Sequence, residues 1–209
     1  MIVVVSRQEG PIHVLIDSTG LQVYGAGNGW RKSMVSNLVG LAQAAPGAGC
    51  RQRRHHCTVM TDQDAGDASQ VEPLLDQIEM PIGQFTADGA YDGNPTYQVV
   101  ARHSADAAVV IPPRSNALER PDSHPPSQRD RHIAAINTDG RMKWQIATGY
   151  GKRSLVETAI GRYKSIIGRR LQARSFAAQQ TEVAIGCAVL NRMLACARPK
   201  SVRCKKAAA

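Results

Sequence analysis

Short apolar runs separated by turn residues divide the first half of the chain into candidate strands and helices. His13–Asp17 (HVLID) is an apolar run that meets a Ser-Thr-Gly turn, which predicts a strand. The following LQVYGAG can continue that extended chain past the turn. One face of a helix is predicted further on by the spacing of Val71, Leu74, Leu75 and Ile78.

The second half of the chain repeats this alternation. QFTAD predicts a strand that ends at Asp88, and AAVVIPP predicts another that is stopped by Pro112 and Pro113. GAYDGNPTYQVVARH is expected to be a loop that opens a helix. Residues 114–131 are polar and contain prolines, so we expect an exposed connection before helices around 154–167 and 180–197. This order predicts an α/β domain with a mixed or mostly parallel sheet.

Residues 28–57 interrupt this pattern. The segment has no period of 2 or 3.6, contains no acidic residue and ends in a basic cluster. Its Cys50, His55, His56 and Cys57 resemble a zinc site, but their spacing matches no common one. We therefore expect no metal there.

The composition and net charge of the chain indicate which class of partner it binds. With 209 residues, 43% of them hydrophobic and 21% charged, the chain is expected to form one globular domain. The net charge of +9 favours a polyanionic partner, and nucleic acid is the commonest. No apolar run approaches the length of a membrane span, and no signal peptide is expected. An odd count of five cysteines indicates reduced thiols in a cytoplasm.

Three carboxylates stand at the ends of predicted elements. Asp17 and Asp88 each end a strand, where sites of α/β sheets assemble, although each could simply favour a turn. Glu157 could close a capping box with Ser154. Alternatively, it shares one stripe of its helix with Arg153 and Lys164, at the border between core and solvent. The residues alone leave both interpretations of Glu157 open.

A longer pattern resembles a known family. Four residues reproduce the Tyr-x2-Arg-x3-Glu-x6-Lys motif of DDE transposases of bacterial insertion sequences, namely Tyr150, Arg153, Glu157 and Lys164. The segments LIDSTGL, MTDQDAGDASQV, TADGAYDG, AAVVIPPR and QRDRHI are similar to the IS-five branch of that family. The resemblance covers about 12–25 and 58–203.

The resemblance implies a fold and a chemistry. It implies a ribonuclease H-like catalytic domain over 1–203, with a tail at 204–209 and without the N-terminal DNA-binding domain of relatives. By carry-over, three residues become catalytic carboxylates that hold two Mg²⁺ or Mn²⁺ ions: Asp17, Asp88 and Glu157. Two such ions can activate water and stabilise the leaving oxygen when a phosphodiester is cut, and they prefer carboxylate oxygens.

The resemblance also implies partners. These are transposon ends and target DNA, handled by a homo-oligomer associated with the nucleoid in the cytoplasm. Basic and aromatic residues are expected to contact the DNA backbone: Tyr150, Arg153 and Lys164, extended by Arg162, Arg169 and Arg170.

Residues 28–57 depart from the family, whose second and third strands should lie there. Codons for Gln43–Cys57 can be chosen so that a one-base shift reads Lys-Leu-His-Leu-Ala-Leu-Asp-Ala-Asp-Ser-Gly-Asp-Ile-Ile, which is similar to the family's strand. Asn28–Leu41 likewise contains Glu-Trp-Leu-Glu-Glu-Lys-His-Gly in another offset. Our hypothesis is that single-base deletions scrambled this segment, disrupted both strands and left little activity.

Two other functions compete with this interpretation. Ile16–Gly20 resembles the Asp-Ser/Thr-Gly turn of aspartic proteases, but those enzymes pair two copies in an all-β fold, whereas this chain has one copy and helices. The other candidate is a non-catalytic basic DNA-binding remnant. Cleavage on addition of Mg²⁺ would distinguish an enzyme from such a module, which would show only salt-sensitive binding.

Overall fold

The computed structural model describes residues 10–23, 34–37, 41–43, 52–54, 59–61, 66–120 and 125–196. The strands in chain order are β1 Ile12–Leu15, β2 Thr19–Val23, β3 Met34–Asn37, β4 Leu41–Gln43, β5 Gln52–Arg54, β6 Val59–Met60, β7 Ile82–Thr86, β8 Ala108–Val110 and β9 Arg170–Leu171. The helices are α1 Val71–Leu75, α2 Asn94–His103, α3 Gln128–Asp139, α4 Arg141–Thr148, α5 Ser154–Arg162 and α6 Phe176–Cys196. Short 3₁₀ turns occur at Asp67–Gln70, Gly89–Tyr91 and Tyr150–Arg153, and a π turn at Tyr163–Ile167.

Three sheets are formed by the described strands. A parallel sheet has the order β1-β7-β8, a mixed sheet has the order β6-β3-β2-β9, and β4 pairs with β5. In the mixed sheet β2 is antiparallel to β3 and parallel to β9. The predicted α/β class with a mixed set of strands is confirmed, and it is compatible with a ribonuclease H-like domain.

Strand β1 separates two hydrophobic cores. Its four residues are all buried, as expected for a strand covered on both faces. Val14 packs in the core that α1 and α2 form on the parallel sheet, whereas Leu15 packs in the core beneath α5 and α6. The predicted apolar face of α1 is buried in the first core, at Val71, Leu74, Leu75 and Ile78. The end of β1 is therefore fixed by packing from two sides.

Helices α3 and α4 are the main difference from the sequence-based expectation. The sequence predicts an exposed connection over 114–131, but α3 begins at Gln128 and Asp130 is buried. A capping box explains this start, because Ser127 and Asp130 bond each other's backbone N–H groups. Few apolar residues of α3 are buried, so the periodicity of its sequence gave no sign of a helix.

Helix α5 also ends differently from the prediction. A helix around 154–167 is predicted, but α5 ends at Arg162, and Ile166 and Ile167 are exposed whereas Tyr163 is buried. The chain changes to a π turn at Tyr163–Ile167, which widens the turn and rotates the following side chains away from the core. Cys187 on α6 is buried, whereas Cys196 at the end of the same helix is exposed.

The described parts of 28–57 pair as strands. β3 lies against β2, and β4 pairs with β5. The disruption of the second and third strands is therefore not confirmed and stays a hypothesis. Cys50, His55, His56 and Cys57 lie outside the described residues.

A buried histidine links two neighbouring strands of the parallel sheet, β1 and β7. His13 on β1 is 4% exposed, and its Nε2 lies 2.9 Å from Oγ1 of Thr86 on β7. Burial, with a smaller contribution from the charge of Lys152, lowers the pKa of His13 from 6.5 to about 4. Because the folded pKa is lower than the unfolded value, the unfolded chain binds the proton first as the pH falls. Stability due to neutral His13 is present above pH 6.5 and is lost towards pH 4.

We predict that His13→Gln flattens the acid side of the stability profile. One pKa unit is worth about 1.4 kcal/mol, so the wild type should lose about 3 kcal/mol more than the variant across this window. Urea unfolding at several pH values measures the difference. The same acid loss in both proteins would contradict the assignment.

Candidate active site

Two of the predicted carboxylates lie at one edge of the parallel sheet. β1 and β7 are neighbours and parallel, so their carboxyl ends meet at the same edge. Asp17 and Asp88 follow these two strands, and the pairing extends almost to them, since the N–H of Ile16 donates to the carbonyl of Thr86 at 2.9 Å. The sheet therefore brings together two residues that are distant in sequence.

Backbone turns orient the two aspartates. Oδ1 of Asp17 accepts from the N–H of Ser18 at 3.1 Å, and Oδ1 of Asp88 accepts from the N–H of Ala90 at 2.8 Å. The simple interpretation of both residues as turn formers is thus correct locally. It does not account for their further contacts, because both carboxylates also face a third segment of the chain.

That third segment brings Arg153 between the acidic side chains. Its Nη2 lies 3.2 Å from Oδ1 of Asp17 and 3.5 Å from Oδ2 of Asp88, and its Nη1 lies 2.6 Å from Oε1 of Glu157. All three predicted catalytic carboxylates therefore contact one guanidinium. We call these four side chains the Arg153 cluster.

The capping box considered for Glu157 does not form. Arg153 is the N-cap residue of α5, and its helix start has no side-chain cap. The hydroxyl of Ser154 donates instead to the carbonyl of Gly151 at 3.0 Å. Glu157 is directed to Arg153 one turn earlier, so the interpretation that places both on a shared stripe is the one the structure supports.

Burial and charge act in opposite directions in the Arg153 cluster. Burial raises the pKa of Asp17, the Arg153 guanidinium opposes this rise, and the charge of Asp88 adds to it. Burial by itself would lower the pKa of Arg153, but the surrounding carboxylates, Asp17 first, raise it. Exposure increases across the cluster from Asp17 at 13% to Asp88 at 33% and Glu157 at 54%. The cluster thus opens to solvent on the side of Glu157.

Tyr150 is held beside this cluster by an aromatic pair. Its ring centroid lies 5.5 Å from that of Trp144, whose Nε1–H donates to Nδ1 of His132 at 3.0 Å. Nε2 of His132 lies 2.7 Å from the carbonyl of Val109, so it carries the proton in this arrangement. Gly149 ends α4 in the left-handed region at φ 66°, which turns the chain into Tyr150–Arg153.

The other predicted DNA-contacting residues do not join the cluster. Arg162 ends α5 and Lys164 lies in the π turn, both partly buried, whereas Arg169 and Arg170 are exposed around β9. Conversely, Asp67 lies next to the site although no sequence pattern indicated it, and its carboxylate accepts from the hydroxyl of Ser18 at 3.1 Å. Asp67 opens a 3₁₀ turn in MTDQDAGDASQV, and no spacing rule connects it with Asp17.

Comparison with known proteins identifies the family. A family model described as "Transposase DDE domain" matches residues 8–192, which is most of the chain. The chain belongs to the DDE transposase family. No solved structure shows a significant match. In the part of the chain that the structure describes, no helix is long and apolar enough to cross a membrane.

DDE transposase domains typically use divalent metal ions, and the chemistry of the donor set fits them. Three carboxylates offer the hard oxygen donors that Mg²⁺ and Mn²⁺ prefer, and their formal charge exceeds that of the single guanidinium. As the side chains lie, however, no group of three or more His, Cys, Asp or Glu among the described residues could hold a metal ion. In this DDE transposase domain the guanidinium of Arg153 lies among the three carboxylates.

We predict that Asp17→Asn stabilises the fold at neutral pH. The raised pKa of Asp17 means that its ionised form is disfavoured in the folded state, and a neutral amide removes this cost. The expected gain is about 1 kcal/mol, as is common where a site residue is replaced. Urea unfolding in a chelator measures it, and a clear loss of stability would contradict the prediction.

Proposed function

We propose that this chain is the catalytic domain of an insertion-sequence transposase of the IS-five-like branch, acting on DNA by phosphodiester cleavage and strand transfer. One observation supports this most: the carboxylates of Asp17, Asp88 and Glu157, from three distant segments, all contact Arg153. The family match makes a transposase the expected context for such a cluster. In this proposal the three carboxylates are the ligands of two Mg²⁺ or Mn²⁺ ions.

Each carboxylate has a defined support. Two divalent ions bound there would supply an activated water and stabilise the leaving oxygen. Asp17 and Asp88 are held by adjacent parallel strands and by their turn N–H groups, so they form the rigid side of the site. Glu157 is more exposed and lies on the first turn of α5, where its side chain can adjust. Cleavage in this class leaves a 3′-hydroxyl, which then attacks target DNA.

The DNA backbone is proposed to run along the helix that carries Glu157. Arg153 can bind a phosphate with two parallel hydrogen bonds. Tyr150 is packed on Trp144 at the start of the same segment, where it can stack on a base or bond a phosphate. Lys164 and Arg162 lie further along, and Arg169 and Arg170 continue the positive surface towards β9. A homo-oligomer would bring two transposon ends together.

We further propose that this copy has little activity, because 28–57 is a frameshifted segment. The segment adjoins β2, and altered side chains there would weaken the core under the site. Each buried backbone group left unsatisfied costs about 1–3 kcal/mol, while a whole domain has a margin of only about 5–15 kcal/mol.

Replacing the altered segment tests the proposed metal site and the proposed loss of activity in one experiment. We predict that purified native chain nicks supercoiled plasmid weakly or not at all with Mg²⁺ or Mn²⁺. A chain in which 43–57 is replaced by the out-of-frame sequence Lys-Leu-His-Leu-Ala-Leu-Asp-Ala-Asp-Ser-Gly-Asp-Ile-Ile should gain metal-dependent nicking. Glu157→Gln in that chain should abolish the gain, at least about 100-fold, because the amide is a poor metal ligand.

The outcomes separate the two parts of the proposal. If the native chain nicks DNA strongly and Glu157→Gln abolishes this nicking, the proposed loss of activity is wrong and the proposed metal site is supported. Nicking by a folded, restored chain that survives Glu157→Gln would contradict the site.

A non-catalytic DNA-binding role is the second candidate. It is favoured by the net charge of +9 and by the exposed Arg169 and Arg170. Binding that weakens steeply with salt, that is unchanged in Glu157→Gln and that leads to no cleavage by either chain would support it.

A further inference from the structure

The position of Arg153 suggests a role that goes beyond holding a phosphate. Its guanidinium contacts the side-chain oxygens of all three carboxylates, so it is their shared counter-ion. A divalent cation bound by the same oxygens would need the space and the charge balance that Arg153 now provides. The guanidinium and the cation therefore compete for one set of donors.

The guanidinium is not fully satisfied where it lies. Its Nε is buried and has no hydrogen-bond partner among the described residues. Nη2 is shared between Asp17 and Asp88 at 3.2 and 3.5 Å, so neither contact is short. A guanidinium with an unused donor and two long contacts can gain hydrogen bonds by moving to a better anion.

DNA offers such an anion at the open side of the cluster. The Arg153 side chain is 20% exposed, and Glu157, its neighbour on the solvent side, is 54% exposed. A phosphate accepts two parallel hydrogen bonds from a guanidinium, which lysine cannot provide. Arg153 also precedes α5 on a short 3₁₀ turn, Tyr150–Arg153, so its side chain can move without displacing a long helix.

We propose that Arg153 is an internal counter-ion that a DNA phosphate withdraws from Asp17, Asp88 and Glu157, and that this exchange couples DNA binding to divalent-cation binding. The proposal rests on the proposed function of the three carboxylates as metal ligands. Without DNA, Arg153 holds the carboxylates and opposes the cation. When DNA binds, the carboxylates are released and can bind the divalent cation. By linkage, the cation strengthens DNA binding by the same factor as DNA strengthens cation binding.

Calcium binding tests this exchange without a catalytic readout. Isothermal titration of the full chain with Ca²⁺, alone and with a short DNA duplex, compares wild type, Arg153→Gln and Arg102→Gln. Arg102→Gln is the matched control, because it removes the same charge from an exposed ion pair with Glu72, outside the cluster. A titration of the duplex without protein corrects for Ca²⁺ bound by DNA.

Without DNA, Arg153→Gln should bind Ca²⁺ about tenfold more tightly than wild type, and Arg102→Gln should bind as wild type does. The duplex should tighten Ca²⁺ binding about tenfold in wild type and in Arg102→Gln, and much less in Arg153→Gln. This pattern is not expected if Arg153 only builds the site.

Three results would overturn the proposal. If folded Arg153→Gln binds Ca²⁺ as weakly as wild type or more weakly, Arg153 has only a structural role. If the duplex does not increase the Ca²⁺ affinity of wild type, DNA binding and cation binding are not coupled. If Arg153→Gln fails to fold by circular dichroism, this wild-type comparison decides alone. Absence of Ca²⁺ binding in every protein would remove the proposed function as well, which distinguishes that failure from a failure of the exchange.

Discussion

The structure depends on a single guanidinium that neutralises three carboxylates from distant parts of the chain. Arg153 joins Asp17, at the end of β1, to Asp88, at the end of β7, and to Glu157 on its own helix. Without a cation at this point, three acidic side chains in a partly buried site would repel one another. The positive charge of Arg153 therefore allows the sheet edge and α5 to lie next to each other.

The two hydrophobic cores explain why the side chains of the Arg153 cluster lie close together. β1 is buried on both faces, in contact with α1 and α2 on one side and with the α5–α6 pair on the other. The parallel pairing of β1 and β7 then fixes the aspartates, while packing of Val156, Ile160 and Tyr163 holds α5 and the turn that follows it in the second core. Gly186 takes part in this packing, since a Cβ there would lie 2.7 Å from the ring of Tyr163. The hydrophobic cores thus bring the charges together at some electrostatic cost.

Much of this arrangement could be predicted from the chain, and the failures have physical reasons. The apolar runs of β1, β7 and β8 and the helical spacing in α1 predicted those elements, because burial decides them. Helix α3 depends on a Ser127–Asp130 cap rather than on an apolar face, so periodicity missed it. The π turn after α5 rotates Ile166 and Ile167 outwards, which a constant helical period cannot anticipate. The motif spacing identified Arg153 and Glu157, but only the fold shows that the arginine lies among the carboxylates.

A double-mutant cycle between Asp17 and Arg153 tests the central interaction most directly. The free energies of unfolding of wild type, Asp17→Asn, Arg153→Gln and the double variant, measured by urea in a chelator, give the coupling between the two side chains. If the partly buried cluster exists as described, the coupling should be about 1 kcal/mol or more in the favourable direction. It should exceed the value for the exposed Glu72–Arg102 pair, for which well under 1 kcal/mol is expected. A coupling of zero within error would contradict the account, because Arg153 would then not be the counter-ion of Asp17.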